Sequence, residues 1–348
     1  MNGKHKWAWL ALLLAALTFA VGGCGGDDEE SADTGTAGQT GETTAAEPVQ
    51  LGLVTDIGGL NDRGFNELAN TGLDRAESEL GAEGRVLESK SDADYIPNLT
   101  DLAEGGTDLI VTNGFLMGDA TRQAAEAFPD TNFAIIDFGY SEEDALPNLQ
   151  GLVFKEQETG CLVGVVAALM SESGTISTVG GQKIPPVDRF IAGYQACAKE
   201  ANPDIKVLNA YSQEFVAPAP CKEIALDQIA KGSDVVFQVA GGCGLGALDA
   251  AKEEGVWGIG VDKDQAFLGD HILTSAVKRV DEAVFSAYQA QVDGSFEGGG
   301  VTVFGLAEDG VGVGEMSPDV PQDVIDTMEE FRQRILDGDL VPAETVGG

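Results

Sequence analysis

The feature that most constrains how this chain folds is a repeated alternation between short apolar runs and helix-like segments. The first runs are VQLGLVTD (49–56), DLIVTNG (108–114) and NFAIIDF (132–138). The pattern then starts again with LQGLVF (149–154), GTISTVGG (174–181), IKVLNAYS (205–212), DVVFQVAGG (234–242) and VWGIGVD (256–262). Such runs, separated by amphipathic helices, are typical of parallel strands covered by helices on both faces. The 348 residues therefore predict two α/β lobes, each on a doubly wound parallel sheet.

In doubly wound sheets, ligands bind beyond the carboxyl ends of the strands. The residues that follow the apolar runs are therefore candidates for a ligand site. They are Asp56, Asp137, Gly241–Gly246 and Asp262.

The N-terminus indicates export. Lys4 and Lys6 precede the apolar run WAWLALLLAALTFAV, which is followed by Gly-Gly-Cys24. This run is short for a membrane span and is typical of a secretory signal. V-G-G-C resembles a bacterial lipobox, so we expect a signal peptide over 1–23, acylation of Cys24 and attachment to the extracytoplasmic face of the cell membrane. The alternative is an ordinary signal peptide with an incidental cysteine. Residues 24–49, acidic and poor in apolar side chains, read as a disordered tether.

The charge of the chain excludes several functions. It has 58 acidic and 20 basic residues, a formal charge of −38. A surface this acidic repels nucleic acid, which is therefore not an expected partner. Two histidines argue against a histidine-rich metal site or a histidine-based enzyme, and we expect neither a metal nor a cofactor.

Four cysteines remain after Cys24, and an even number in an exported protein suggests two disulfides. Cys161 and Cys197 fall on successive predicted helices, and Cys221 and Cys243 are placed to meet at one end of a strand. The predicted pairs are 161–197 and 221–243. Four buried free thiols are the alternative.

A dinucleotide-binding enzyme is the main competing interpretation. Gly242, Gly244 and Gly246 follow a strand, and Asp262 lies twenty residues after the first of them. The spacing is G-x-G-x-G rather than G-x-G-x-x-G, and an exported protein meets no nicotinamide pool. We therefore expect no enzymatic activity.

A longer set of motifs points to one receptor family. VTDIGGLNDRGFNE (54–67) resembles the opening motif of the basic membrane protein family, the PnrA-like nucleoside receptors of ABC importers. The resemblance continues through FAIIDF, GLVFKEQETGCLVG, TVGGQKIPPVDRFIAGYQACAKEANPDIKV, SQEF, VAGGCGLGALDAAKE, GVDKDQ and LTSAVK, and covers nearly all of 50–305. Arg63-Gly64 departs from the Lys/Ser-like pair of the family, and the four cysteines are not family-wide features.

The resemblance implies a type I periplasmic-binding-protein fold with three crossings between the lobes, near 140–150, 270–278 and 298–304. The first lobe is then expected to comprise 50–145 plus 276–300, and the second 146–275 plus 301–348. It also implies a purine nucleoside held between the lobes and delivered to the permease subunits. A receptor for a sugar or another small solute, or a sensor for a membrane signalling partner, remains the alternative.

By the same resemblance, Phe65 and Phe215 would sandwich the base, and Asp262 would accept ribose hydroxyls. Asp137 would face the base edge as an ionised acceptor, which favours guanosine or inosine over adenosine. Lys278 would neutralise Asp262 or touch the ligand. The alternatives are core packing for the phenylalanines, helix or turn capping for the aspartates, and a solvated lysine.

Further contacts are expected from the first loop and from the glycine turn of the second lobe. These residues are Asp56, Asn61, Asn66, Gly241 and Gly242.

Overall fold

The computed structural model describes residues 47–347. The predicted signal peptide, Cys24 and nearly all of the predicted tether lie outside the described residues. The strands are β1 (Gln50–Thr55), β2 (Glu83–Glu88), β3 (Leu109–Asn113), β4 (Asn132–Ile136), β5 (Leu149–Phe154), β6 (Thr175–Gly180), β7 (Lys206–Tyr211), β8 (Val235–Val239), β9 (Trp257–Asp262), β10 (Ile272–Lys278), β11 (Val301–Phe304) and β12 (Val311–Val313). The helices are α1 (Phe65–Leu80), α2 (Tyr95–Glu104), α3 (Gly118–Ala127), α4 (Glu156–Met170), α5 (Pro185–Ala201), α6 (Pro218–Ala230), α7 (Gly241–Glu254), α8 (Val280–Val292) and α9 (Gln322–Leu336).

The strands form two six-stranded sheets with the same winding. The first has the order β11-β5-β4-β3-β1-β2 and is parallel throughout. The second has the order β12-β10-β9-β8-β6-β7, and its β10–β12 pair is antiparallel. The central strands are buried, as the continuous apolar runs predict for strands with helices on both faces. The prediction of two doubly wound lobes is confirmed.

The chain passes between the sheets after β5, after β10 and after β11. The predicted lobe boundaries are wrong at three strands, β5, β11 and the end of β10. Leu149–Phe154 pairs with β4, and Val301–Phe304 pairs with β5, so both belong to the first sheet and not to the second lobe. Residues 276–278 complete β10 of the second sheet. The physical reason is that an apolar run has the same pattern whether it is the last strand of one sheet or the first strand of the next. Only its hydrogen-bonded pairing with other strands determines the sheet to which it belongs.

Two further strands, β2 and β12, were not predicted as separate strands from the sequence. Glu83–Glu88 (EGRVLE) is an edge strand with alternating exposure, and its charged residues hide its period. The segment 301–314, predicted as one strand and a loop, divides into β11 and β12, which lie in different sheets.

Both predicted disulfides form, Cys161–Cys197 and Cys221–Cys243. The first joins α4 to α5 across a close helix contact. A Cβ at Gly160 would lie 2.2 Å from the Phe190 carbonyl oxygen, so only glycine permits this approach.

Within residues 47–347, every helix is too short or too polar to cross a membrane.

Candidate functional site

The carboxyl ends of strands from both sheets meet at one cavity, whose volume is about 650 Å³ including its open mouth. Eight of the ten predicted site residues line it: Asp56, Phe65, Asn66, Asp137, Phe215, Gly241, Asp262 and Lys278. Both lobes contribute side chains, as the strand-end rule predicts.

Asn61 and Gly242 do not line this cavity. Asn61 is exposed, and its buried neighbour Asp62 lines the cavity instead. The Asp62 carboxylate accepts hydrogen bonds from the backbone N–H groups of Gly64, Asn66 and Glu67, at 3.0, 2.8 and 3.2 Å. An acid just before a helix satisfies its free N–H groups, which draws Asp62 inward and leaves Asn61 in solvent.

Gly242 lies against the loop that follows β7. A Cβ at this position would lie 3.3 Å from the Val216 carbonyl oxygen and 3.4 Å from that of Phe215. Its neighbour Gly241, with a left-handed φ of 53°, lines the cavity. Gly242 therefore packs against this loop and does not line the cavity.

Phe65 and Asn66 are fixed by the end of β3. Asn113 Nδ2 donates to Asn66 Oδ1 at 3.0 Å and to the Phe65 carbonyl oxygen at 3.3 Å. Asn66 Nδ2 in turn donates to the Ile57 carbonyl oxygen at 3.4 Å. The first turn of α1 is thus tied to the central strand, which holds the half-buried Phe65 ring at the cavity wall.

Asp56 follows β1 and is also buried. Its Oδ1 accepts hydrogen bonds from the Tyr95 hydroxyl and from the Ile57 N–H, the latter at 2.6 Å. Burial raises the pKa of Asp56, and these two donors oppose the rise. Because Oδ1 is occupied, Oδ2 is the atom of Asp56 available to a ligand.

A buried ion cluster surrounds Lys278. Its Nζ lies 2.6 Å from Asp137 Oδ1 and 3.0 Å from Glu156 Oε1. Glu156 Oε2 accepts a hydrogen bond from Arg189 Nε at 2.5 Å. Burial opposes the charged ammonium, but the Asp137 and Glu156 carboxylates outweigh it and raise the pKa of Lys278. The alternative of a solvated lysine is excluded.

Burial raises the pKa of Asp137, and the nearby Lys278 ammonium opposes this rise. Burial is also the main reason that the pKa of Asp262 is raised, to about 7. Repulsion from Asp137 and Asp62 adds to this rise, and attraction to the Lys278 ammonium opposes it. Within residues 47–347, no hydrogen bond from another residue reaches the Asp262 carboxylate, so its oxygens remain free for a ligand. The neighbouring Asp264 does the capping, accepting from Ala266 N–H at 3.2 Å.

Asp137 and Asp262 both have a left-handed backbone, with φ of 74° and 62°. Aspartate tolerates this conformation better than most residues, although it is still disfavoured. Strained residues of this kind concentrate at binding sites, where the surrounding fold holds them in place.

Phe215 lines the cavity from the second lobe and lies in the loop between β7 and α6. Its ring covers Gly181, where a Cβ would lie 2.2 Å from Phe215 Cε1. Glu214 Oε1 accepts from the N–H groups of Phe215 and Val216, at 3.0 and 2.7 Å. The ring therefore sits on a surface that only glycine provides.

Several lining or supporting residues were missed from the sequence. Phe115 and Phe190 add aromatic surface to the cavity, and Asp62 adds a carboxylate. Glu156 and Arg189 complete the ion cluster around Lys278. A signal existed for Asp62, an acid just before a helix start, and for Glu156, an acid in the polar first turn of a helix that is apolar from Gly160 onward.

The two lobes touch across the cavity mouth. Lys263 Nζ lies 2.8 Å from Glu67 Oε1, and Gln265 Nε2 donates to the Arg63 carbonyl oxygen at 3.2 Å. Each pair joins one residue of the first lobe to one of the second.

Within the part of the chain that the structure describes, no three His, Cys, Asp or Glu side chains are grouped to hold a metal ion.

Comparison with known proteins identifies one family. The family model described as "ABC transporter substrate-binding protein PnrA-like" matches residues 49–343. A relative named CD4+ T-cell-stimulating antigen, from Listeria innocua, is 33% identical over 97% of this chain and 98% of its own length. The ABC transporter nucleoside-binding protein BmpA of Lactococcus lactis is 32% identical over 98% of this chain and 99% of its own.

Among solved structures, an ABC transporter solute-binding protein from Aeropyrum pernix superposes with a TM-score of 0.79. It is 28% identical, and the match covers 86% of this chain and 94% of that protein.

Proposed function

Because the chain belongs to the PnrA-like family of ABC transporter substrate-binding proteins, we propose that it is a receptor for purine nucleosides. It is the substrate-binding component of an ABC transporter, and in this proposal the nucleoside is delivered to the permease subunits. The name of the Lactococcus relative, a nucleoside-binding protein, supports this choice of solute.

The observation that carries the proposal is the division of the cavity into aromatic and acidic parts. Phe65 from the first lobe and Phe215 from the second both line it, beside the buried Asp262 and Lys278. A purine offers two flat faces for stacking, and a ribose offers hydroxyl donors for a carboxylate.

We further propose that the protein is anchored at the extracytoplasmic face of the cell membrane through acylated Cys24. The support is the lipobox-like V-G-G-C after the signal-like run. Several acyl chains at about 0.8 kcal/mol per buried methylene give a stable anchor without a spanning helix. Mass spectrometry of the mature N-terminus tests this, and an unmodified cysteine would contradict it.

The direct test of the function is native mass spectrometry of the purified protein, followed by calorimetric titration with guanosine, inosine, adenosine and a pyrimidine nucleoside. We expect a co-purified nucleoside and the tightest binding among the purines. A co-purified sugar with no nucleoside binding would overturn the proposal.

We expect guanosine and inosine to bind at least about tenfold more tightly than adenosine. Asp137 is the proposed reader of the base edge: guanosine and inosine present an N1–H donor, whereas adenosine presents a lone pair there. Facing a carboxylate, that lone pair costs about 1–3 kcal/mol. Lys278 occupies Asp137 Oδ1, so one oxygen remains for the base and inosine should approach guanosine in affinity.

Asp137→Asn is expected to lose this discrimination, because an amide can donate to the adenosine lone pair. Asp56→Asn is the matched variant, since Asp56 also lines the cavity. If the Asp56 variant loses discrimination and the Asp137 variant keeps it, Asp56 reads the base instead.

Nucleoside affinity is expected to rise with pH and level off above pH 7. The pKa of Asp262 is raised by burial from an ordinary value of 3.8 to about 7, and hydroxyl donors bind its ionised form more strongly than its protonated form. Below pH 7 the ligand must displace a proton, so affinity falls up to tenfold per unit, roughly hundredfold at pH 5.

The contribution of Asp262 to the stability of the ligand-free protein changes with pH in the opposite direction. Between pH 4 and 7 the folded state holds a proton on Asp262 that the unfolded state has lost, so this group's contribution decreases as pH rises. Titrations at pH 5, 6, 7 and 8 check the binding profile, with Asp262→Asn as the control that lacks the Asp262 titration. A flat wild-type profile would contradict the assignment.

A further inference from the structure

The loop that carries Phe215 has no regular structure of its own and is held at both ends. Residues 212–217 join β7 to α6. At the start, the N–H groups of Ser212 and Gln213 donate to the carbonyl oxygens of Gly180 and Gly181, at 2.8 and 3.1 Å. These bonds continue the edge of the second sheet. Within the loop, Glu214 Oε1 accepts from the Phe215 N–H, and a further restraint on the Phe215 backbone lies at the far end.

At the far end, the loop lies directly on the first turn of α7. The Cys243 N–H donates to the Phe215 carbonyl oxygen at 3.1 Å. Behind this contact, a Cβ at Gly246 would lie 2.0 Å from the Pro218 carbonyl oxygen. The beginnings of α6 and α7 are therefore in close contact, and the backbone of Phe215 lies at their junction.

The Cys221–Cys243 disulfide crosses this same junction. Cys221 lies in the first turns of α6 and Cys243 in the first turn of α7, and both are fully buried. Cys243 therefore holds the loop in two ways, through its N–H to Phe215 and through its sulfur to α6. Ser212 Oγ, at the start of the loop, lies 3.7 Å from Cys243 Sγ.

We propose that the Cys221–Cys243 disulfide is a positioning element of the ligand site, which holds Phe215 in its binding position in the ligand-free protein. The proposal rests on the proposed function in that Phe215 contacts the ligand. Ordering a loop on ligand binding costs conformational entropy. A loop that is already ordered avoids this cost, so the ligand binds more tightly. The Cys161–Cys197 disulfide, which joins α4 to α5 in the same lobe, has no such contact with the Phe215 loop and serves as the control.

The test compares C221A/C243A with C161A/C197A, each alone and combined with Phe215→Ala, by calorimetric titration with guanosine. We expect C221A/C243A to weaken binding by about tenfold and C161A/C197A by less than about threefold, although both lower the thermal midpoint. In the Phe215→Ala background, C221A/C243A should weaken binding no further, because the disulfide acts through Phe215. A purely stabilising disulfide would not show this dependence.

Equal losses in the two backgrounds, or equal losses from the two disulfides, would overturn the proposal. If C221A/C243A does not fold, C221V/C243A restores part of the lost sulfur volume and is titrated in its place. Hydrogen exchange in the ligand-free protein gives a measurement that does not depend on the solute. The backbone amide at position 243 should be less protected from exchange in C221A/C243A than in C161A/C197A, and equal protection would also overturn the proposal. Failure of the wild type to bind any nucleoside, with reduced protection at position 243 in C221A/C243A, would instead reject the proposed function alone.

Discussion

Asp262→Ala is expected to weaken nucleoside binding by about 2–4 kcal/mol, roughly thirty- to thousandfold. The Asp262 carboxylate is buried in the cavity and receives no hydrogen bond from another residue within 47–347. Its removal would leave the ribose hydroxyls without an acceptor in a closed site. Phe65→Ala should have a smaller effect, about 1–3 kcal/mol, because it removes one stacking face.

Asp262→Asn separates charge from backbone conformation. Asparagine tolerates the left-handed φ of this position, so the variant should keep the fold while losing most of the affinity. Asp270→Asn, at an exposed acid of the same lobe, is the matched control and should bind like the wild type. Calorimetry that gives Asp262→Ala wild-type affinity would remove the ribose assignment.

Lys278→Met is expected to lower the free energy of unfolding by about 3–5 kcal/mol. Its ammonium lies between the buried carboxylates of Asp137 and Glu156, and removal leaves both without their shared cation. Arg189 remains beside Glu156, so Asp137 is the group most affected. Urea unfolding monitored by circular dichroism measures this loss.

Two further variants distinguish loss of charge from loss of packing. Lys278→Met combined with Asp137→Asn removes one unpaired charge and should recover part of the stability. Lys263→Met removes the partly exposed pair with Glu67 at the mouth and should change stability by less than about 1 kcal/mol. Equal effects of Lys278→Met and Lys263→Met would contradict a buried cluster.

The parts predicted correctly from sequence are those that local pattern determines. Apolar runs placed the buried strands, and the residue after each run placed Asp56, Asp137 and Asp262 at the cavity. The succession of elements gave both cysteine pairs: two successive helices for Cys161 and Cys197, and a helix start and the following strand end for Cys221 and Cys243. In each case the determining interactions lie within one element or between successive ones.

The parts that failed depend on contacts between distant segments. The partners of Lys278, Asp137 and Glu156, lie 141 and 122 residues away along the chain. No local sequence pattern predicts contacts over such distances. Strand membership at 301–304 was likewise settled by pairing with β5, about 150 residues earlier in the chain. Asn61 was chosen over Asp62 because the pattern could not say where α1 begins, at Phe65.

The identical winding of the two sheets has a consequence for the symmetry of the ligand site. In each lobe, an aspartate with positive φ stands at the end of the fourth strand along the chain, Asp137 after β4 and Asp262 at the end of β9. The cleft is thus lined by two corresponding half-sites, related by an approximate twofold repeat. The ends of the fifth strands differ, because β5 ends in Phe154 whereas β10 ends in Lys278, whose ammonium lies 2.6 Å from Asp137 Oδ1. The proposed ligand, a nucleoside, is also asymmetric, so this difference gives the cleft a direction in which its base and ribose could be told apart.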